Sequence, residues 1–392
     1  CLSQYSITKD DGRLLLLYQD KIKEAFQSKW MERLRKSLDT GVKHPNCSVC
    51  WKDEAVGQDS RRLRENRRFL KRLESEGWQK TTPNQPVFLD LKLGNLCNLK
   101  CRICGPYSST KWSQESTDIY GEGSLPQNQG AVKARTGDQK KVEIMTWYDS
   151  NPEFWTTIET WLEHIEEFEI FGGEPFLINR HLDILKMSVQ RGFSKNQSLH
   201  YNTNGSVFPE EALKNIFPHF KSVKVMFSLD GTTEQFEYQR FPAKWDTSFN
   251  NLFKFKQAGL RVEVCLTLSA LNIYYLPEYL EFWSKHDMPV YLNVLNTPNH
   301  YSFQIFPNDV KEKIVSKLTK MDINRYKKFV LNPILPVIES ITAGDLSKNF
   351  PEFLETTFRH DKYRQQSYEK TFPEFYETLK PHITSFDNGN IV

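Results

Sequence analysis

The chain has 392 residues, 39% hydrophobic and 26% charged, with 27 Phe and 16 Tyr, and so can build a sizeable globular core. A net charge of +3 on 52 basic and 49 acidic side chains argues against a nucleic acid or other strongly steered polyanion as partner. No run of about 18 apolar residues is present, which excludes a predicted membrane helix.

The seven cysteines are Cys1, Cys47, Cys50, Cys97, Cys101, Cys104 and Cys265. An odd number at close spacings does not fit a secreted disulfide scaffold; it fits metal binding in a reducing, cytoplasmic compartment. The chain begins at Cys1 rather than Met, so a fragment or processed product is expected, and no signal-peptide pattern is visible.

Residues 1–85 read as an N-terminal unit. Ile22, Ala25, Phe26, Trp30 and Leu34 recur at helical spacing within 19–37. Residues 43–50 read as a loop carrying Cys47 and Cys50. Arg61 to Glu76 is a densely charged helix, read first as a solvated face and second as a basic rim for an anionic substrate.

From Pro86 to about residue 302 the pattern alternates. Strands are predicted at 87–93, 168–171, 198–203, 222–229, 261–268 and 289–295, with helices at 154–167, 180–190, 210–220, 248–258 and 275–285. Parallel connections need crossovers, so this order predicts an α/β fold with a parallel sheet, its apolar strands covered on both faces. Six units fall short of the closed eight-stranded barrel and predict an open, partial (β/α)6 barrel of TIM type. Residues 115–145 read as a long polar insertion loop. Residues 303–392 form a helical C-terminal extension, with helices near 308–320, 333–343 and 351–379.

The strongest chemical signal is Leu93-Gly94-Asn95-Leu96-Cys97, followed by Cys101 and Cys104. Three thiolates within eight residues of a loop after a strand can converge on one face of a cluster, and soft thiolates select iron–sulfur, zinc or copper. Three ligands on a four-iron cube leave one iron open to a small molecule. Zinc ordinarily takes a fourth Cys or His, and the nearest downstream His, His164, is far away in sequence.

This Cys-x3-Cys-x2-Cys loop resembles the signature of radical S-adenosylmethionine (SAM) enzymes. The resemblance implies a 4Fe-4S cluster on Cys97, Cys101 and Cys104, with SAM chelating the open iron and cleaved reductively to a 5′-deoxyadenosyl radical. The residue before the third cysteine is usually aromatic in that family; here it is Ile103, which keeps an apolar contact near adenine and loses a ring. Gly172-Gly173-Glu174-Pro175 resembles the family's GGE turn, whose carboxylate holds the SAM amine. On physics alone, two glycines at a strand end let a ligand approach the backbone.

Thr203-Asn204-Gly205 resembles the family's TNG segment facing SAM. Ser228-Leu229-Asp230-Gly231 resembles its S-x-D-G segment, with Ser228 at SAM and Asp230 either near substrate or capping the next helix. Val294 and Leu295 are weaker candidates for adenine contacts. All lie at carboxyl ends of predicted strands, where α/β folds bind ligands. The resemblance covers residues 86–296.

Cys47-x2-Cys50, with Cys1, resembles the auxiliary-cluster "twitch" unit found beside some radical SAM domains, which implies a second iron–sulfur cluster; zinc and a bare dithiol are the other readings of the pair. Cys265, inside an apolar strand, reads as core. By analogy with auxiliary-cluster maturases the substrate is a peptide or protein side chain, the alternatives being a small molecule or nucleotide, or a non-catalytic metal-binding scaffold. A flavodoxin or ferredoxin is the expected electron donor, and oxygen sensitivity is expected.

Overall fold

The protein is described by a computed structural model covering residues 7–16, 20–55, 60–76, 85–121 and 151–387. Cys1 and residues 122–145 of the expected insertion loop lie outside the described residues.

Six strands form one sheet in sequence order: β1 (Phe88–Lys92), β2 (Glu167–Phe171), β3 (Ser198–Thr203), β4 (Ser222–Ser228), β5 (Arg261–Leu268) and β6 (Val290–Val294). The pairs β3–β4, β4–β5 and β5–β6 are parallel, with Ser228 opposite Cys265 and Cys265 opposite Tyr291. Helices intervene between successive strands, as parallel crossovers require. This is the α/β partial-barrel architecture expected from the sequence.

Cover of the two faces is uneven: β5 is buried on both faces apart from Arg261 and the half-buried Cys265, while the other strands are more one-sided. β2 and β3 alternate between half-buried and buried residues. Leu199, Tyr201, Val225, Phe227 and Val264 are buried. Their face meets the helical layer, where Tyr201 packs on Phe176 and Phe217, and Phe227 on Phe255. Burying each such side chain contributes about 1.5–3 kcal/mol. The opposite, inner face carries His200, Asn202, Lys224, Ser228 and Cys265, all half-buried, with Glu169 near His200 (3.9 Å) and Glu263 near Lys224 (3.8 Å). An open barrel leaves its inner face to solvent or ligand, which is why polar residues are tolerated there.

The chain folds as two compact units. One combines the described residues within 1–89, 146–167 and 184–193; the other combines those within 90–145, 168–183 and 194–392. The C-terminal helices Asn308–Thr319, Leu335–Ala343, Phe350–Arg364 and Pro373–Asp387 belong to the second unit together with most of the sheet.

In the first unit, the single helix expected over 19–37 is two, Ile22–Gln27 and Lys29–Asp39. Ser28 breaks it: its extended backbone ends one helix, while its Oγ accepts from Met31 N (3.3 Å) and starts the next. The charged helix Arg61–Glu76 forms as expected, but its cations are not all simply solvated. Arg62 pairs with Glu54 at 2.6 Å and lies over the Trp51 ring at 4.6 Å, and Arg68 pairs with Glu167.

In the second unit, residues 115–120 of the expected insertion belong to a helix, Trp112–Tyr120. Burial of Trp112 and Glu115 overrides the polar composition of that stretch. Among the described residues, no helix is long and apolar enough to cross a membrane.

Candidate active site

The cysteine loop leaves the carboxyl end of β1 and is braced from within. Leu93 N donates to Phe171 O (2.8 Å), Asn95 Nδ2 to Pro106 O (3.0 Å) and Trp112 Nε1 to Cys101 O (3.1 Å). Cys97 and Cys101 are buried and Cys104 is exposed, so the three thiols run from the interior to the rim of one loop. Burial, with the neighbouring Cys101, pushes the Cys97 thiol up to about 11. Cys101 is pulled down to about 7 by the hydrogen bond with Cys104, against the effect of burial and with help from Arg240.

Gly172 and Gly173 have φ of +98° and +54°, the left-handed region that glycine enters without cost. What presses on Gly173 is the chain itself: a Cβ there would lie 2.1 Å from Leu96 O. The sequence reading gave this turn's openness to a ligand; the structure uses it to seat the turn against the backbone just before Cys97. Glu174 N then donates to that same Leu96 O at 2.8 Å.

The Glu174 carboxylate is fully buried. It accepts from Phe176 N (3.2 Å), Thr203 Oγ1 (2.8 Å) and Asn204 N (2.8 Å). Burial outweighs these donors and raises its pKa to about 7. The sign of the consequence follows. Between about pH 4.5 and 7 the folded state holds a proton that the unfolded state has released, so stability falls as pH rises through that window and levels off above it. The decline is at most about 1.4 kcal/mol per pH unit. Urea midpoints of the metal-free protein at pH 5, 6, 7 and 8 should show it, and the Glu174→Gln variant should lose that slope whatever its constant offset. A wild-type profile as flat as the variant's would refute it.

Thr203 and Asn204 are thus second partners of Glu174. Asn204 Nδ2 also lies 3.8 Å from Cys97 Sγ and donates to Asn98 Oδ1 (3.1 Å). Pro175 is buried in a short 3-10 turn closing the same corner. The structure therefore joins Cys97, Glu174, Thr203 and Asn204 in one hydrogen-bonded set drawn from β1, β2 and β3.

Ser228 ends β4 and is half-buried, as are Ile103, Val294 and Leu295. Cys265 is half-buried on the inner face rather than in the core proper, and burial pushes its thiol up to about 12. Asp230 does not cap the helix that follows it. The helix Thr233–Gln239 has no side-chain cap, and Asp230 is buried, accepting from Thr267 N (2.9 Å) and pairing with Arg240 (2.7 Å). A buried carboxylate needs a cation, and β5 with the segment after Thr233–Gln239 supplies both partners.

Three residues went unseen in the sequence. Arg240, whose Nη1 lies 3.7 Å from Cys101 Sγ, stands in no recognisable motif. Glu115 is fully buried with Lys100 (2.6 Å), His360 (2.6 Å) and Arg364 (2.8 Å) around it. Burial is outweighed by those partners and its pKa falls to about 2. Arg102, between two of the cysteines, is buried against Asp361. These partners are up to 259 residues apart in the chain, and no local pattern announces them.

In the first unit Cys47 and Cys50 are both buried, Cys47 in a short 3-10 turn and Cys50 in the helix Ser48–Ala55. Trp51 Nε1 donates to His44 O (2.9 Å) and holds this corner. Cys1, the third ligand expected here, lies outside the described residues.

Among the described residues, no three His, Cys, Asp or Glu side chains gather closely enough to hold a single metal ion. A cube whose irons each take one thiolate does not require such convergence. Three thiols on one braced loop, a cation at one sulfur and a buried Arg240 Nε without an acceptor fit an anionic cluster.

Residues 91–281 match the model of the radical SAM superfamily. The match takes in just under half of the chain, and this stretch is similar to a radical SAM domain. Among solved structures it is similar to native anSMEcpe with bound AdoMet, at 17% identity and a TM-score of 0.42, over 60% of this chain and 58% of that one. It is also similar to Streptococcus suis SuiB bound to S-adenosylmethionine, at 12% identity and a TM-score of 0.38, over 80% of this chain and 65% of that one. The chain spans less than two thirds of the length of either. A comparison with curated proteins gives no match.

Proposed function

We propose that this protein cleaves SAM reductively, and that the resulting 5′-deoxyadenosyl radical takes a hydrogen atom from a substrate. The observation that carries this reading is the continuity of the site: Glu174 N bonds the backbone beside Cys97, and Asn204 links Glu174 to the Cys97 sulfur. Cys97, Cys101 and Cys104 would hold a 4Fe-4S cluster, which when bound supplies one electron to the sulfonium and an open iron for the SAM amine and carboxylate. Glu174 would receive the SAM amine, its orientation fixed by Thr203 and the two backbone donors. Ile103, Ser228, Val294 and Leu295 would line the adenosine.

The inner strand face, with His200, Lys224 and Glu263, suits a polar substrate group. A peptide or protein side chain is the class we favour, over a small molecule or nucleotide, with a flavodoxin or ferredoxin as electron donor. Cys47 and Cys50, two buried thiols one helical turn apart, are the ligand pair we assign to a second iron–sulfur cluster, with Cys1 as a third.

The test is anaerobic reconstitution with iron and sulfide, then reduction by dithionite with and without SAM. A paramagnetic signal that shifts on adding SAM, and 5′-deoxyadenosine that disappears in Cys97→Ala, are expected. Uptake of zinc alone, or a cluster indifferent to SAM, would sink the enzyme reading and leave the metal-binding scaffold.

A further inference from the structure

Two backbone hydrogen bonds tie the cysteine loop to a distant segment. Lys100 N donates to Phe241 O (2.7 Å) and Arg102 N to Gln239 O (2.8 Å). The pair brackets Cys101 on one segment and Arg240 on the other, setting the two residues opposite each other. Arg240 Nη1 reaches Cys101 Sγ at 3.7 Å.

Arg240 is also fixed from behind. Its Nη2 lies 2.7 Å from Asp230 Oδ2, Asp230 Oδ1 accepts from Thr267 N, and Gln239 Nε2 and Asn272 Nδ2 hold the Asp230 carbonyl (2.8 and 2.9 Å). Arg240 is 8% exposed, and its Nε has no hydrogen-bond partner among the described residues. A buried, unpaired donor on a charged group costs free energy unless something present in the working protein accepts from it.

We propose that Arg240 is a positioning residue for the catalytic cluster: clamped by Asp230, it fixes a positive charge at the Cys101 sulfur and raises the cluster's reduction potential. The inference rests on the cluster assigned above. Reduction adds a negative charge to an already anionic group, and a cation held at a ligand sulfur favours the more negative state. Asp230 opposes this, but it sits behind the guanidinium while Nη1 touches the sulfur, and the nearer charge dominates.

The experiment is redox titration of the reconstituted protein, followed by electron paramagnetic resonance, with iron and sulfide counted in each variant. Arg240→Gln is expected to move the midpoint to more negative potential. Asp230→Asn, which leaves the cation uncompensated, is expected to move it to more positive potential. Arg240→Lys keeps the charge and is expected to stay close to wild type. A merely structural role would move Arg240→Gln and Asp230→Asn the same way, through loosening of the loop.

Shifts of one sign in both variants, or none in either with full iron content, would overturn the proposal. If Arg240→Gln does not retain a cluster, Arg240→Lys and Asp230→Asn decide it: a lysine variant displaced from wild type, or an asparagine variant not shifted positive, overturns it. Failure of the underlying reading looks different, because the parent protein itself would then take up no iron–sulfur cluster.

Discussion

Gly173→Ala is expected to cost the protein its cluster. The added Cβ would lie 2.1 Å from Leu96 O and 2.7 Å from Leu96 C, distances no relaxed structure keeps. Both atoms are backbone, so the overlap cannot be relieved by a rotamer change. Either the turn before Glu174 retreats or the loop segment leading into Cys97 is pushed outward, and each breaks the Glu174 N–Leu96 O hydrogen bond.

The left-handed φ of +54° adds about 1–2 kcal/mol for any L side chain. Gly192→Ala is the control. Gly192 has φ of +77° but nothing within 4 Å of a built Cβ, so it carries the backbone cost alone. Iron and sulfide per chain, with urea midpoints, would separate the two. Gly173→Ala should fall below half of wild-type iron and lose clearly more stability than Gly192→Ala. Equal losses in the two variants would mean that the close approach to Leu96 is not limiting.

Arg102→Met is expected to destabilise the protein by about 3–5 kcal/mol, the usual cost of removing one partner from a buried ion pair. Arg102 sits between Cys101 and Cys104 with its guanidinium 3.7 Å over the Tyr238 ring. It donates to Tyr238 O (3.2 Å), Thr357 O (3.3 Å) and Gln366 Oε1 (3.0 Å), and pairs with Asp361. Three of these partners belong to the C-terminal extension, at the helix Phe350–Arg364 and just after it.

Without Arg102, the buried Asp361 carboxylate keeps, among the described residues, only Tyr238 OH (2.7 Å) and Tyr368 N (2.6 Å). Adding Asp361→Asn removes the stranded charge while retaining an acceptor, so the double variant should recover much of the loss. A double variant no more stable than Arg102→Met alone would show that lost packing, not the unpaired charge, sets the cost.

These two predictions mark how far the sequence reaches. Cys97, Cys101 and Cys104, the GGE turn and the order of six strands were legible because each is written in contiguous residues: thiol spacing, paired glycines, apolar runs between helical patterns. The strand β3, the helix Arg61–Glu76 and the helix Arg180–Gln190 fall at the expected residues for that reason. Ser28 was harder, since a single serine inside a helical pattern becomes a cap only when the chain turns there.

Cover on both faces, expected for short strands rich in Val, Leu and Phe, holds for β5 but not for β2 and β3, because only curvature of the sheet shows which alternate residues face inward. The capping role considered for Asp230 came from its neighbours in the chain, whereas its partners Thr267 and Arg240 come from other elements. Arg240, Arg102 and Glu115 were invisible for the same reason. Their partners reach the cysteine loop from as far as Arg364 and Gln366, and a charge becomes part of a site only when folding strips its water and leaves it one partner. The sequence by itself determined which thiols share one loop and in what order the barrel is wound. Tertiary structure alone decided which charges surround those thiols, because Coulomb interactions depend on distance and burial, and neither is written along the chain.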